Sequence, residues 1–173
     1  MASNPYSKGF RSINCHCGAN SLRANHMDMN ADPIVVEETF DAPLEVVWKA
    51  ITDKDQMRQW YFEPMMDFEP EVGFETEFDV QCEGQNFLHQ WKVTEVVPET
   101  RIAYDWRYGG YPGDSSVTWE LSETPDGTKL KLTHKGRETF SQDNPAFSRE
   151  GCEAGWRYFL HESLKAFLER QES

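Results

Sequence analysis

The chain has 173 residues, of which 17 are Lys or Arg and 30 are Asp or Glu, so its formal net charge is −13. This acidic excess argues against binding to nucleic acid or to an anionic membrane surface, because both attract clusters of Lys and Arg. No apolar run approaches the roughly 20 residues that a membrane-spanning helix needs, and no secretory signal is expected. With 38% hydrophobic and 13% aromatic residues, the chain has enough apolar surface for one packed domain.

The four cysteines indicate a reducing, cytoplasmic setting. Cys82 and Cys152 are isolated in the sequence, which is unlike the dense spacing of a disulfide-stapled secreted domain. Cys15, His16 and Cys17 are adjacent zinc-ligand types, but zinc takes about four ligands and a fourth would have to come from far away. We therefore predict no metal site and no cofactor.

The N-terminal residues differ from the rest of the chain. Residues 1–26 contain Lys8, Arg11 and Arg23 but no acidic residue, and they show no apolar periodicity. We expect residues 1–32 to be a leader, either disordered or cloning-derived, and residues 33–173 to form the domain. An organelle transit peptide is the alternative for such an acid-poor leader.

The first elements of the domain are a strand and two short helices. Residues 34–40 are rich in β-branched side chains, which favours a strand. Asp41 is then expected to cap a helix with Pro43 in its first turn, and Asp53 to cap a second helix that ends near Trp60. The buried face of the first helix is predicted from residues at helical spacing: Leu44, Val47, Trp48 and Ile51.

An antiparallel meander follows. Apolar residues alternate with polar ones in successive short stretches separated by turns such as Pro125-Asp126-Gly127, which predicts strands with one buried face. The chain closes with a helix over about residues 145–170, whose apolar stripe is Cys152, Trp156, Phe159, Leu160, Ser163, Leu164, Phe167 and Leu168. This order predicts an α+β fold in which the last helix covers a sheet, with room for a pocket between them.

Several phrases of the sequence resemble those of a known family. They lie at residues 40–50, 69–74, 98–106 and 127–134, and at Gly155-Trp156 in the last helix. The chain resembles the START-like, helix-grip superfamily, and within it the activator of 90-kDa heat shock protein ATPase homologue family, over about residues 34–170. The resemblance implies a curved antiparallel sheet wrapped around a long C-terminal helix, with two short helices after the first strand. It also implies relatives that are co-chaperone domains, polyketide cyclase-like proteins or carriers of small molecules.

Our leading hypothesis is a non-catalytic protein that binds a small hydrophobic or aromatic molecule between the last helix and the sheet. The candidate cavity-lining residues are the aromatic and polar residues of the predicted inner face: Trp60, Phe74, Phe78, His89, Trp91, Tyr104, Trp106, Trp119, His134, Trp156, Phe159 and Ser163. His89 and His134 are either general bases of a cyclase- or hydrolase-type enzyme or hydrogen-bonded core histidines. No sequence motif of nucleophilic catalysis accompanies them.

A second hypothesis is a co-chaperone-like protein that contacts the 90-kDa heat shock protein through an acidic surface. The acidic residues that alternate with apolar ones over residues 74–83 suit a basic partner or simply face water: Glu75, Glu77, Asp79 and Glu83. Asp105 and Arg107 share a strand face and are expected to pair. The loops at 109–115 and 136–145 are either lids over a pocket or plain surface loops.

Overall fold

The computed structural model describes residues 32–82, 84–140 and 147–171, so the predicted leader up to residue 31 and its Cys15-His16-Cys17 cluster lie outside the described residues. The strands are β1 (Ile34–Phe40), β2 (Glu75–Cys82), β3 (Gln85–Val97), β4 (Arg101–Gly109), β5 (Ser115–Thr124) and β6 (Gly127–Lys135). They form one antiparallel sheet in the order β1-β6-β5-β4-β3-β2, so the first strand joins the last. The predicted meander is confirmed.

Two short helices, α1 (Leu44–Thr52) and α2 (Lys54–Trp60), connect β1 to β2. The predicted cap of α2 is confirmed, since the Asp53 carboxylate accepts a hydrogen bond from the backbone N–H of Gln56 at 3.2 Å. The predicted cap of α1 is wrong: the helix begins two residues later, and Pro43 precedes it in an extended conformation without a side-chain cap. Asp41 therefore lies too far upstream to reach the first turn.

The C-terminal helix lies across the inner face of the sheet, as predicted. Its first part, α3 (Arg149–Arg157), begins at Ser148, whose hydroxyl accepts a hydrogen bond from the backbone N–H of Gly151 at 3.2 Å. The helix continues as a π-helical segment at Tyr158–Leu164 and ends as α4 (Lys165–Gln171). The π-helical segment is a difference from the single α-helix predicted, because apolar spacing does not reveal which carbonyl each N–H will bond.

Alternate residues of each strand face the helix and form the core. In β3, Phe87, His89, Trp91 and Val93 are buried, which leaves Leu88 half-buried on the outer face. Tyr61 lies within the core, because its ring stacks on that of Trp60 with centroids 4.8 Å apart and meets Phe159 edge-on at 4.9 Å. The sheet, α2 and the C-terminal helix therefore share one aromatic core.

The outer face carries exposed charges. The predicted Asp105–Arg107 pair is not the one that forms. Arg107 instead donates two hydrogen bonds to Asp114, from Nε to Oδ1 at 2.9 Å and from Nη2 to Oδ2 at 3.1 Å, because the loop between β4 and β5 returns beside it. Within the described ranges, no helix is long and apolar enough to span a membrane.

Candidate ligand-binding site

A cavity of about 60 Å³ lies between the sheet and the C-terminal helix. Five of the twelve predicted site residues line it: His89, Trp106, His134, Trp156 and Phe159. They come from three strands and from the C-terminal helix, so their meeting depends on the whole fold. The remaining wall consists of residues that sequence reasoning did not select: Phe62, Val80, Phe87, Tyr108, Phe147, Gly151, Cys152 and Gly155.

Four of the other seven predicted residues pack elsewhere in the core, and their polar atoms bond to one another or to the backbone. Trp119 donates its indole N–H to the hydroxyl of Tyr104 at 2.9 Å, and Trp60 donates its own to the backbone carbonyl of Ala50 at 2.7 Å. Burial raises the pKa of the Tyr104 hydroxyl well above its ordinary value. Ser163 donates to the carbonyl of Trp60 at 2.6 Å. Their roles in this structure are those of core residues.

The last three do not line the cavity. Phe78 stacks on His89 with ring centroids 5.2 Å apart, and the ring of Trp91 contacts that of Trp106 at 5.0 Å. Phe74 is partly buried and meets Phe68 edge-on at 6.1 Å. Phe78 and Trp91 therefore pack against residues of the cavity wall.

His134 uses both of its ring nitrogens in hydrogen bonds to the protein. The indole N–H of Trp156 donates to Nδ1 at 3.1 Å, so Nδ1 carries no proton and the proton lies on Nε2. Nε2 is 3.0 Å from the hydroxyl of Ser115, which in turn donates to the carbonyl of Trp106 at 2.7 Å. The result is a chain of three hydrogen bonds, which we call the His134 relay, from Trp156 through His134 and Ser115 to the backbone of β4.

The environment keeps His134 neutral. Burial, and to a smaller extent the positive charge of Arg137, lower its pKa from 6.5 to about 3. Arg137 is itself buried and donates to the carbonyl of Phe147 at 2.8 Å, which places that ring against the cavity. The chain reaches Arg137 through Gly136, whose φ is 88°. A Cβ added at Gly136 would lie 2.6 Å from the carbonyl oxygen of Asp114, so only glycine fits there.

His89 is arranged differently. Its Nδ1 lies 3.1 Å from the carbonyl of Phe87, and since a carbonyl only accepts, Nδ1 carries the proton. Burial lowers the pKa of His89 from 6.5 to about 4, so the ring is neutral at pH 7. Its Nε2 is then an acceptor, and no described residue donates a hydrogen bond to it. His89 thus presents an unused lone pair in a residue that is only 5% exposed.

Trp106 adds an unused donor to the same cavity. Its indole Nε1 is buried and has no hydrogen-bond partner among the described residues, and the same holds for Trp91, which does not line the cavity. The rings of His89 and Trp106 are 5.2 Å apart between centroids. An apolar cavity with one unused acceptor and one unused donor side by side suits a small, mainly hydrophobic molecule with a polar atom.

The described residues around the cavity include few groups that could bind a metal ion or take part in acid–base catalysis. Within residues 32–82, 84–140 and 147–171 no three His, Cys, Asp or Glu side chains come together in a way that could hold a metal ion. Among the described residues, the cavity wall contains two histidines and the half-buried Cys152, but no carboxylate. What the arrangement supports directly is binding.

A larger and more open concavity, of about 630 Å³, lies at the β2 edge of the sheet. It includes two residues of the predicted acidic surface, Glu75 and Glu77, together with Asp67, Asp105, Lys92 and Arg107. Glu77 accepts a hydrogen bond from Gln90 at 3.2 Å, whereas Glu83 lies outside the described residues. The mixture of charges and its exposure are those of a solvated sheet face.

Comparison with known families identifies the chain. The sequence model of the family described as Activator of Hsp90 ATPase homolog 1-like protein matches residues 41–169, which is well over half of the chain. The chain belongs to this family. No curated protein matches it.

Solved structures of similar proteins share the fold. Protein CV1439 from Chromobacterium violaceum is 26% identical with a TM-score of 0.67, and the match covers 80% of this chain and 97% of that one. Protein MLL2253 from Mesorhizobium loti is 29% identical with a TM-score of 0.65, again over 80% and 97%. CalU16 from Micromonospora echinospora is 28% identical with a TM-score of 0.58, over 81% of this chain and 78% of that chain. The family and the helix-grip fold predicted from the sequence are confirmed.

Proposed function

We propose that the protein binds a small hydrophobic or aromatic molecule in the cavity between the C-terminal helix and the sheet, without defined catalysis. The observation that carries the proposal is the pair of unused polar atoms, His89 Nε2 and Trp106 Nε1, in the wall of an otherwise apolar cavity. Buried polar groups are nearly always hydrogen-bonded, so the buried indole N–H of Trp106 calls for a partner, and the lone pair of His89 offers a second contact in the same wall. A bound molecule supplies that partner.

The size of the cavity limits the ligand. About 60 Å³ holds one or two water-sized groups, whereas an engineered apolar cavity of about 150 Å³ binds benzene. A single ring therefore enters only when the surrounding side chains move apart by a modest amount, and a large lipid would require rearrangement of the fold. The proposal is thus for a one-ring ligand in preference to a long-chain or polycyclic one.

Native mass spectrometry of the purified protein is the first experiment, since a retained small-molecule mass would identify the natural ligand directly. A second experiment uses toluene as the probe and saturation-transfer NMR as the readout. Cys152→Leu fills the cavity and is expected to reduce toluene binding by about tenfold or more. Ala154→Leu adds the same side chain to the exposed face of the same helix and serves as the matched control.

Two outcomes would refute the proposal. Absence of any retained mass together with no binding of toluene or other single-ring compounds would remove the carrier function. Equal binding by Cys152→Leu and the unaltered protein would place the ligand elsewhere. The prediction that cavity-lining residues bind a ligand depends on these results.

A contact with the 90-kDa heat shock protein is the second candidate function. The family description favours it, as does the excess of carboxylates over basic side chains, four against two, in the concavity at the β2 edge. We expect the purified chain to change the ATPase rate of that chaperone, and Glu75→Lys with Glu77→Lys to weaken the effect. An unchanged ATPase rate at saturating chain, together with no complex in a binding assay with the two purified proteins, would refute it.

An enzyme that uses a cavity histidine is the least supported of the three hypotheses. Both nitrogens of His134 are already engaged in hydrogen bonds, so it has no lone pair available to remove a proton from a substrate. His89 is left as the only histidine in the cavity wall with an unused lone pair among the described residues.

A further inference from the structure

We infer that the molecule bound in the cavity carries a hydroxyl group on its ring, as a phenol does. Its oxygen would donate a proton to His89 Nε2 and accept the indole N–H of Trp106. This inference rests on the proposed ligand binding and adds the chemical class of the ligand.

The backbone register places the two groups on one side of the sheet and close together. Trp106 of β4 pairs with Trp91 of β3, and the next inward-facing pair along the two strands is Tyr108 with His89. His89 and Trp106 are therefore diagonal neighbours on the inner face, with ring centroids 5.2 Å apart. Both residues are at least 95% buried, at 5% and 4% exposure. Of the two unused atoms, Trp106 Nε1 is fully buried without a hydrogen-bond partner, and His89 Nε2 belongs to a ring that lines the cavity.

Their chemistry is complementary and demands both a donor and an acceptor. Nδ1 of His89 is committed to the carbonyl of Phe87, which fixes Nε2 as an acceptor. The indole N–H of Trp106 only donates. A hydroxyl is the smallest group that donates and accepts through a single atom, and a cavity of about 60 Å³ has little room for two separate polar groups.

Other common ligand groups fit this pair less well. A carbonyl or ether oxygen accepts from Trp106 but leaves the lone pair of His89 unsatisfied. A carboxylate would place its negative charge against that lone pair, and burying a charge without a charged partner is unfavourable. The cavity wall also contains the rings of Phe62, Trp156 and Phe159, which suits a ligand with a ring.

Three probes of nearly equal size test the inference. Phenol donates and accepts, anisole only accepts, and toluene does neither. We expect phenol to bind about tenfold more tightly than toluene, with anisole between them, because each hydrogen bond to an otherwise unsatisfied buried group contributes modestly to affinity. Titrations are followed by isothermal calorimetry and by the indole N–H signals in a ¹H–¹⁵N correlation spectrum.

The indole signal of Trp106 gives a direct readout of the contact. Phenol and anisole are expected to move it downfield, whereas toluene is expected to move it much less. Trp106→Phe assigns the signal and should remove most of the preference for phenol over toluene. Trp91→Phe is the matched control, because it also removes a buried indole N–H without a partner, but one that does not line the cavity. His89→Phe should reduce the affinity for phenol to that for anisole.

The outcomes separate this inference from the proposed function. Equal affinities for the three probes, with Cys152→Leu still blocking them, would overturn the hydroxyl inference and leave ligand binding intact. Binding of none of the probes would overturn both. If Trp106→Phe does not fold, the order of the three probes and their indole shifts in the unaltered protein decide the matter.

Discussion

The two buried histidines of the cavity wall differ in how many of their ring nitrogens are hydrogen-bonded to the protein. His134, between β5 and the C-terminal helix, has a partner on each ring nitrogen. His89, on β3, has a partner on Nδ1 alone. Both are buried and neutral, so burial and a lowered pKa do not distinguish a histidine with two hydrogen-bonded nitrogens from one with an unused nitrogen. The number of hydrogen-bonded ring nitrogens does distinguish them, because a histidine with partners on both nitrogens has no donor or acceptor available for a ligand.

The largest expected effect on stability comes from removing His134, the histidine whose two ring nitrogens are both hydrogen-bonded. His134→Phe leaves the indole N–H of Trp156 without its acceptor in a dry core and removes the donor to Ser115. We expect a loss of about 3 kcal/mol in the free energy of unfolding. His89→Phe removes only one hydrogen bond to a carbonyl and replaces the ring by one of similar shape, so we expect a loss of less than about 1 kcal/mol.

Urea unfolding monitored by tryptophan fluorescence measures both variants. Equal destabilisation by His89→Phe and His134→Phe would contradict the distinction between the two residues, because it would mean that His89 has an equally important structural role.

The pH dependence of stability is the next largest effect. The pKa values of about 3 for His134 and about 4 for His89 lie below the ordinary 6.5, so the unfolded chain binds protons that the folded chain rejects. The stabilisation is complete above about pH 6.5 and is lost as the pH falls toward these lower values. Each histidine contributes a slope of up to about 1.4 kcal/mol per pH unit in that window.

Unfolding curves between pH 4.5 and 7.5 test this dependence. Carboxylates titrate at the acidic end as well, so the difference between proteins is the informative quantity. In His134→Phe and in His89→Phe, the slope of the free energy of unfolding against pH should in each case be smaller by the contribution of about one proton. A slope that neither substitution changes would mean that the two rings are not neutral in the folded protein.

A smaller effect is expected in the middle of the His134 relay. Ser115→Ala removes the acceptor of His134 Nε2–H and also the donor to the carbonyl of Trp106. We expect a loss of about 1–2 kcal/mol, less than for His134→Phe, because a small side chain leaves room for water to bond both groups. Thermal unfolding checks the order, with a fall in Tm of about 2–8 °C for a domain of this size. No change in Tm would show that the relay is not a unit.

The difference between the two histidines was beyond the reach of the sequence. Alternation in the predicted strands placed His89 and His134 on the inner face with equal weight. Whether a nitrogen finds a partner depends on residues far away in the chain, such as Trp156 for His134. Local periodicity cannot report such contacts.

The missed cavity residues have a similar cause. Phe62 follows α2 in a stretch that the sequence marks only as a helix end, yet its ring contacts His89 at 5.2 Å. Phe147 lies within the predicted helix but outside its apolar stripe; in the structure it precedes the start of α3, and Arg137 donates a hydrogen bond to its carbonyl. Turn residues carry no periodic signal, so the strands and helices could be predicted while these two walls of the cavity could not.

The smallest expected effect lies on the outer face, where the same kind of interaction is in contact with water. The pair Arg107–Asp114 is bidentate, and the Arg107 guanidinium holds the pKa of the Asp114 carboxyl below its usual value. Both side chains are more than half exposed. Arg107→Ala is therefore expected to change the free energy of unfolding by only about 0.5 kcal/mol, and by less at high salt. Urea unfolding at 20 mM and 500 mM NaCl (about 20 Å and about 4 Å of Debye screening) checks this. A loss comparable to that of Ser115→Ala would mean that geometry alone, and not exclusion of water, makes a polar contact important in this protein.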